Sequence, residues 1–356
     1  MKKKLLTLLL MITMSLNITA CVTVSDADSS TDIQDIESVE NVENPEGNSN
    51  DTQKSESSSP EDNLPEYAKV GQVVSGEKWS IALLYAKEYD SIDSEIYSDK
   101  PSEGNKFLVL FFDVKNISSD NDYFNYLLFE GYADDYSVSS SIIMGSPDGM
   151  SAIGGNLDAG KMSRGYIVYE VPSDWESFEI SYKDGVWTTH KAATFVVNKD
   201  DVSAVDYTYP NSVYPEYSLD TSKKTEIGTE ISSDKWNVTL VDVKKYEAVG
   251  EVFTQKADDG KEFVIFYLEA ANVSSTDDYF NTLYFRSYVD GYITEQTLLL
   301  SDIDGYAGMS GDVAAGKKIK GYVAVQAPIG WNSIELIYDD GAFVENKVAE
   351  FAIINE

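Results

Sequence analysis

In Trp79-Ser80-Ile81-Ala82-Leu83 the bulky apolar side chains fall on every second position, and the same step returns at Trp236, Val238 and Leu240 with Asn237 and Thr239 between them. A period of two sends successive side chains to opposite faces of an extended chain, so each stretch predicts a strand with one buried face. Phe178, Ile180 and Tyr182 alternate with Glu179, Ser181 and Lys183 in the same way. The runs KFLVLFFDVKN (106–116) and EFVIFYLEAAN (262–272) are apolar on nearly both faces and predict central strands. Turn residues separate these runs: Gly145 to Gly149, Asp158-Ala159-Gly160, Asp184-Gly185, Asp304-Gly305 and Asp340-Gly341. No amphipathic helix longer than a turn or two is evident. Seven or eight short strands per copy predict an all-β chain of antiparallel sandwiches of immunoglobulin type.

The pattern occurs twice. Gly104 to Asp200 aligns with Gly260 to Glu356 without a gap, 156 positions on, and KVGQVVSGEKWSIAL aligns with EIGTEISSDKWNVTL at an offset of 157. Two tandem domains are expected, at 67–200 and 224–356, each with a complete strand set and able to fold alone. Between them, residues 201–223 form a Tyr/Pro-rich linker containing DYTYPNSVYPEYSLD (206–220). Pro210 and Pro215 favour an extended connection, while Tyr207, Tyr209, Tyr214 and Tyr217 need apolar surface, so the linker is expected to dock partly on one or both domains.

Upstream the composition changes. Residues 1–20 carry three lysines and then an apolar run from Leu5 to Ile18, too short for the roughly 20 residues a bilayer crossing needs, and read as a signal peptide. Ile18-Thr19-Ala20-Cys21 resembles a bacterial lipobox, which makes Cys21 the expected lipidated residue, palmitate-type acylation included, and the membrane a partner through that lipid. Residues 21–66 then read as the lipidated cysteine followed by a disordered acidic linker. Val22 to Glu66 holds 13 acids, one lysine and no aromatic residue, a composition that buries too little apolar surface to offset chain entropy. Such a tether reaches roughly 40 Å.

Charge and cysteine usage then exclude chemistries. Removal of the first 20 residues takes the net charge from −34 to −37, which disfavours nucleic acid, because binding it requires a basic patch that releases counterions. Only two arginines exist, Arg164 and Arg286. Cys21 is the only cysteine, so the domains have no disulfide and no thiolate metal site and are held by core burial.

The succession Val70-Gly71, Trp79-x-Ile81-x-Leu83, Gly104-Asn105-Lys106-Phe107, Val114-Lys115-Asn116-Ile117-Ser118, Asp158-Ala159-Gly160-Lys161, Gly165-Tyr166 and Glu170-Val171-Pro172 resembles the telokin-like domain of unknown function found in lipoproteins of Gram-positive bacteria. Copy two repeats it as Ile227-Gly228, Trp236, Gly260-Lys261-Glu262-Phe263, Asn272-Val273-Ser274, Ala315-Gly316-Lys317, Gly321-Tyr322 and Ala327-Pro328, with Gln326 where Glu170 stands. The resemblance implies an immunoglobulin-like fold and a place on the extracellular face of the cytoplasmic membrane in a Gram-positive-type envelope. It implies no catalytic residue.

Candidate sites are few. DNDYFNYLLFEGY (120–132) returns as TDDYFNTLYFRSY (276–288). Its Asp120 and Asp122, with Asp277 and Asp278, could offer oxygens to Ca²⁺, but no EF-hand spacing exists and a solvated scaffold loop is the favoured reading. Asn116 and Asn272 read as strand-end turn residues, and Leu127 and Phe129 (Leu283 and Phe285) as inward positions of the next strand. SDIDGY (301–306) lacks the further acids of a Ca²⁺ loop. His190, the only histidine, stands where copy two has Asn346, and reads as a surface residue rather than part of a triad or zinc site. Trp175 and Trp331 in Pro-x-x-Trp turns, with Trp187 and Tyr136 near loop ends, are the candidate ligand contacts, as exposed aromatics that stack on sugars or a protein, the other reading of the turn tryptophans being that they plug the end of a sandwich. The expectation is therefore a non-catalytic surface module for binding or adhesion to a protein or glycan, with no cofactor and no metal. The alternative is a structural or accessory lipoprotein of an envelope complex with no separate ligand.

Overall fold

The computed structural model describes residues 67–94, 97–183, 185, 190–202, 214, 217–250, 253–339 and 347–355, and their order is all β, the helical elements among them being three-residue 3₁₀ turns. The leader, Cys21 and the acidic tether lie outside the described residues, as do Trp187, Tyr207 and Tyr209.

Leaving aside two-residue pairings, repeat 1 is β1 (Val73–Ser75), β2 (Trp79–Tyr89), β3 (Asn105–Asn116), β4 (Asp122–Phe124), β5 (Phe129–Ala133), β6 (Tyr136–Val138), β7 (Gly155–Leu157), β8 (Met162–Pro172), β9 (Ser177–Lys183) and β10 (Lys191–Asn198). Repeat 2 follows as β11 (Glu230–Ser232), β12 (Trp236–Tyr246), β13 (Lys261–Asn272), β14 (Asp278–Phe280), β15 (Phe285–Val289), β16 (Tyr292–Thr294), β17 (Gly311–Val313), β18 (Lys318–Pro328), β19 (Ser333–Asp339) and β20 (Lys347–Ile354). Each strand of repeat 1 thus has its counterpart ten labels on. In repeat 1 one sheet runs β1-β2-β3-β8 and the other β10-β9-β5-β6, and repeat 2 has β11-β12-β13-β18 and β20-β19-β15-β16.

The two sheets of each repeat face one another across a core. In repeat 1 Trp79, Leu83, Leu110, Phe112 and Tyr169 meet Phe129, Phe178, Ile180 and Phe195, and in repeat 2 Trp236, Phe266 and Val323 meet Phe285, Leu336 and Phe351. The central strands are apolar on both faces because a second cluster covers their outer side. Phe107, Val109 and Phe111 pack there with Tyr85, Met150 and Tyr166, and Phe263, Ile265 and Tyr267 pack with Ile303 and Tyr322. Gly165 and Gly321 permit this cover. A Cβ on Gly165 would lie 2.6 Å from the Ser151 carbonyl oxygen, and one on Gly321 2.7 Å from that of Ala307, so no side chain fits where the covering segment crosses β8 or β18.

One local expectation is corrected. Leu127 and Leu283 point to solvent, 64% and 82% exposed, while Phe129 and Phe285 are buried. The 3₁₀ turns Tyr126–Leu128 and Thr282–Tyr284, capped by the side chains of Asn125 and Asn281, break the period of two before the strand begins. Asn116 and Asn272 end the central strands β3 and β13, as expected, and both are buried and act as latches. The Asn116 amide donates to the carbonyls of Asp120 and Leu157 at 2.8 Å each, and Asn272 does the same to Thr276 and Val313. They tie the acidic loop to the β4–β7 and β14–β17 pairs, which explains why the opening of each peptide repeats.

Candidate functional site

The repeats meet along a seam. Met162, at the start of β8, pairs in parallel with Tyr292 of β16, so the second sheet of repeat 2 continues the first sheet of repeat 1. Tyr288 and Ile337 of repeat 2 join the core cluster of repeat 1. The polar part of the seam includes ion pairs and hydrogen bonds, among them the Tyr288 hydroxyl, which accepts from the Asp158 N–H at 3.1 Å and donates to the Asn156 carbonyl at 3.2 Å. The Arg286 guanidinium, from β15, reaches Asp158 at 2.9 Å and also pairs with Asp339. The Lys161 ammonium enters repeat 2, pairs with Glu335 of β19, and lies 4.4 Å and 5.2 Å from the ring centres of Tyr217 and Tyr288. The Tyr292 hydroxyl donates to Asp113 at 3.0 Å, and Asp113 also holds Arg164 at 2.6 Å.

Burial sets the electrostatics here. It depresses the Lys161 ammonium below the ordinary lysine value, with the Glu335 carboxylate pulling the other way. For Arg286 burial again opposes the charge, but Asp158 and Asp339 outweigh it and hold the guanidinium above its usual value. The Tyr217 and Tyr288 hydroxyls are pushed far up, mainly by burial. Lys161 and Arg286 are each met by a carboxylate across the seam, Glu335 and Asp158 respectively, as burial in low dielectric demands.

The linker locks the joint. Tyr214 is buried and donates to the Ser80 carbonyl at 2.6 Å, and Tyr217 donates to Glu335. The Tyr217 ring lies flat on Gly291, where a Cβ would come within 2.6 Å. The expected docking of the linker thus holds for its two described tyrosines.

Beside the seam lies a cleft of about 940 Å³, lined from repeat 1 by Met150, Gly154 and Arg164 and from repeat 2 by Leu283, Ile293 and Leu298. Both arginines of the chain line it. Leu283 and Leu298 stand 82% exposed at its edge. Other exposed apolar residues recur at equivalent positions in the two repeats: Ile142 with Leu298, Met144 with Leu300, and Leu127 with Leu283.

The residues singled out from sequence are distributed differently. Trp175 and Trp331 are buried, which corrects the expectation of exposed stacking platforms. Each closes one end of its sandwich, and its indole N–H donates to a carboxylate, Glu88 at 2.7 Å and Glu262 at 3.0 Å respectively. Tyr136 is exposed at the edge of β6. Asp122 pairs with Lys78 at 2.7 Å, Asp278 lies 3.9 Å from Lys235, and Asp277 accepts from the Ala315 backbone at 3.0 Å. Asp120 contributes its backbone carbonyl to Asn116. The structure does not gather these acids into one site in either loop. Asp304 of SDIDGY accepts from Lys244 at 2.6 Å and Tyr246 at 2.9 Å, as Asp148 does from Lys87 at 2.8 Å and Tyr89 at 2.8 Å. It is a turn anchor. His190 is exposed, just before β10.

Residues 68–193 and 225–349 each match the family described as Domain of unknown function (DUF4352). The chain belongs to this family and carries its domain twice. Among solved structures it is similar to the ycdA protein of Bacillus subtilis, a candidate lipoprotein, at 19% identity and TM-score 0.30 over 36% of this chain and 39% of that one. It is also similar to the yjhA protein of Bacillus subtilis, at 16% identity and TM-score 0.29 over 36% of this chain and 97% of that one. A β-sandwich protein from Clostridium difficile 630 matches at 14% identity and TM-score 0.26 over 40% of this chain and 99% of that one. No curated protein matches the chain. Among the described residues no helix is long and apolar enough to cross a membrane.

Proposed function

We propose that this protein is a lipid-anchored envelope protein whose paired sandwiches form a non-catalytic binding module, and that the cleft beside the seam receives a protein partner. The observation that carries this reading is the cleft of about 940 Å³ with Leu283 and Leu298 exposed at its edge and Met150 and Ile293 in its lining. Apolar residues exposed in this way, Leu283 on its capped turn and Leu298, cost solvation unless something covers them. A protein partner is favoured over a glycan because Trp175 and Trp331, the obvious sugar-stacking candidates, are committed to closing the sandwiches. Both arginines at the cleft are already engaged by carboxylates, which suits a surface that binds rather than one that performs chemistry. Each sandwich is read as telokin-like, of immunoglobulin type. Cys21 supports a lipid anchor on the extracellular face of the cytoplasmic membrane in a Gram-positive-type envelope.

The binding arm is tested with a photo-reactive residue at position 298 of the full-length protein in its own membrane. A discrete cross-linked product that disappears with Leu283→Asp is expected; cross-linking unchanged by that substitution, or none at all, overturns the cleft. The anchor is tested separately with Cys21→Ser, which is expected to release the protein or leave it unprocessed. A serine variant that stays quantitatively membrane-bound overturns the lipid assignment.

A further inference from the structure

The seam inside the chain joins two unlike faces. Repeat 2 offers β15, β16 and β19, with Tyr288, Tyr292 and Glu335, and repeat 1 offers the start of β8, with Lys161 and the Asp113 carboxylate. Because each repeat possesses both faces, a head-to-tail contact of this kind leaves one face of each unused. The unused face of repeat 1 carries Tyr132, Tyr136 and Glu179, the counterparts of Tyr288, Tyr292 and Glu335. The unused face of repeat 2 carries Lys317 and Glu269, the counterparts of Lys161 and Asp113.

Those unused faces keep the lysine–glutamate and tyrosine–carboxylate partners of the seam but not its Arg286–Asp158 pair, where Glu130 and Ala314 stand. Beside Tyr132 and Glu179 is an open pocket of about 300 Å³, also lined by Tyr67, Asp135 and Lys191. The corresponding place in repeat 2 is where Lys161 enters against Tyr288, Tyr217 and Glu335. Lys317 projects into solvent, whereas Lys161 is buried. Tyr136 is exposed on β6, an edge strand paired only to β5, and Lys318 stands where Met162 makes the strand-to-strand bridge.

The substituted positions remain complementary. Glu130 and Asp135 replace Arg286 and Gly291 on the tyrosine face, while Lys318 and Lys320 replace Met162 and Arg164 on the lysine face. Lys183, in place of Asp339, offsets most of that change, so the first face becomes only slightly more acidic, with Lys191 alongside. The second has Lys317, Lys318 and Lys320, against Glu269 and Asp312. Opposite charge on faces related as the two sides of an existing contact fits a second copy of this chain better than an unrelated partner. An uncapped edge strand beside a vacant pocket is the usual template for such addition.

We propose that copies of this protein associate head to tail, repeat 1 of one copy docking on repeat 2 of the next, with Lys317 entering the Tyr132–Glu179 pocket and β6 running beside the start of β18. The contact repeats the internal seam between molecules. Being heterologous, it builds rows rather than closed pairs.

The test uses two differently tagged full-length copies in one membrane, one Tyr136→Cys and the other Lys318→Cys, under mild oxidation. Paired strand positions lie close enough for a disulfide. Met162→Cys with Tyr292→Cys in a single chain serves as the control for the seam geometry, and chains carrying only Cys21 set the background. A product bearing both tags is expected. Its yield should fall at least about tenfold when Glu179→Lys is added to the first copy and recover when Lys317→Glu is added to the second. Absence of the mixed product while the control closes overturns the proposal, as does a yield indifferent to the charge reversal or not restored by its complement.

Discussion

The tryptophan ends of the two repeats solve one problem with the charges exchanged. In repeat 1 the Trp175 indole donates to Glu88 of β2, which also pairs with Lys106 of β3 at 3.4 Å and with Lys199. In repeat 2 the carboxylate has moved to the neighbouring strand. Lys245 of β12 stands at the position of Glu88, Glu262 of β13 stands at that of Lys106 and accepts from Trp331, and Asn355 replaces Lys199 and accepts from Lys245 at 2.8 Å. The buried N–H fixes the requirement for an acceptor, not the strand that provides it. The seam teaches the converse. There, Glu335 is nearly inaccessible while its counterpart Glu179 keeps a quarter of its side chain in water, because only one of two similar faces has found its partner.

The largest difference between the repeats should appear at that pair of glutamates. Glu335→Ala leaves the Lys161 ammonium buried without its carboxylate and is expected to destabilise the full-length protein by about 3–5 kcal/mol in urea unfolding. Glu179→Ala, at a half-open ion pair with Lys191, should cost no more than about 1 kcal/mol. Equal effects would mean that the seam does not bury Glu335 as described.

Next comes the charge exchange around the indoles. Glu88→Lys strips Trp175 of its acceptor and gathers cations at one point, and should cost about 1.5–3 kcal/mol. Adding Lys106→Glu rebuilds the arrangement of repeat 2 in repeat 1 and should recover most of that loss. A double variant as unstable as the single would show that the two ends are not interchangeable.

These contrasts also mark what the sequence made legible. Period-two alternation from Trp79 and Trp236 revealed the strands, runs apolar on both faces revealed the central ones, and the repeat revealed two sandwiches. The exposure of Leu127 and Leu283 did not show, because a capped 3₁₀ turn shifts the alternation by local geometry rather than hydrophobicity. Nor did the seam, whose Arg286–Asp158 and Lys161–Glu335 pairs join residues 128 and 174 positions apart. A signal for it was nevertheless present. Arg286 stands where repeat 1 has Glu130, and Asp158 where repeat 2 has Ala314, so changes of charge between the copies mark the place where they stop being equivalent.

A smaller effect concerns pH. Burial would raise the Glu88 carboxyl, but hydrogen bonds from Lys199 and Trp175 outweigh it and hold it below its ordinary value. A carboxyl depressed on folding stabilises the native state above its unfolded pKa, near 4.5, and loses that contribution as pH falls through the lower native value. Glu88→Gln should therefore flatten the fall in stability over this acid window, as followed by unfolding at several pH values. An unaltered profile would remove Glu88 from the acid response.

The smallest expected effect is that of calcium. With Asp122 on Lys78, millimolar Ca²⁺ should shift melting equally, and only as surface screening requires, in wild type and in Asp122→Asn with Asp278→Asn. A shift of several degrees that vanishes in the double variant would turn these loops from scaffold into sites.

Mechanical load would divide the molecule unevenly. Within repeat 1 the β3–β8 ladder runs through eleven residue pairs, whereas among the described residues the two repeats share a single strand-to-strand pair, Met162 with Tyr292. Tension between the start of repeat 1 and the end of repeat 2 therefore parts the seam while both ladders still hold. Parting it withdraws Tyr288 and Ile337 from the core cluster of repeat 1 and lifts Tyr217 from Gly291, while the eleven-pair ladder keeps that sandwich together. The joint is therefore expected to be the first part of the molecule to yield, a weak point set between two stronger bodies.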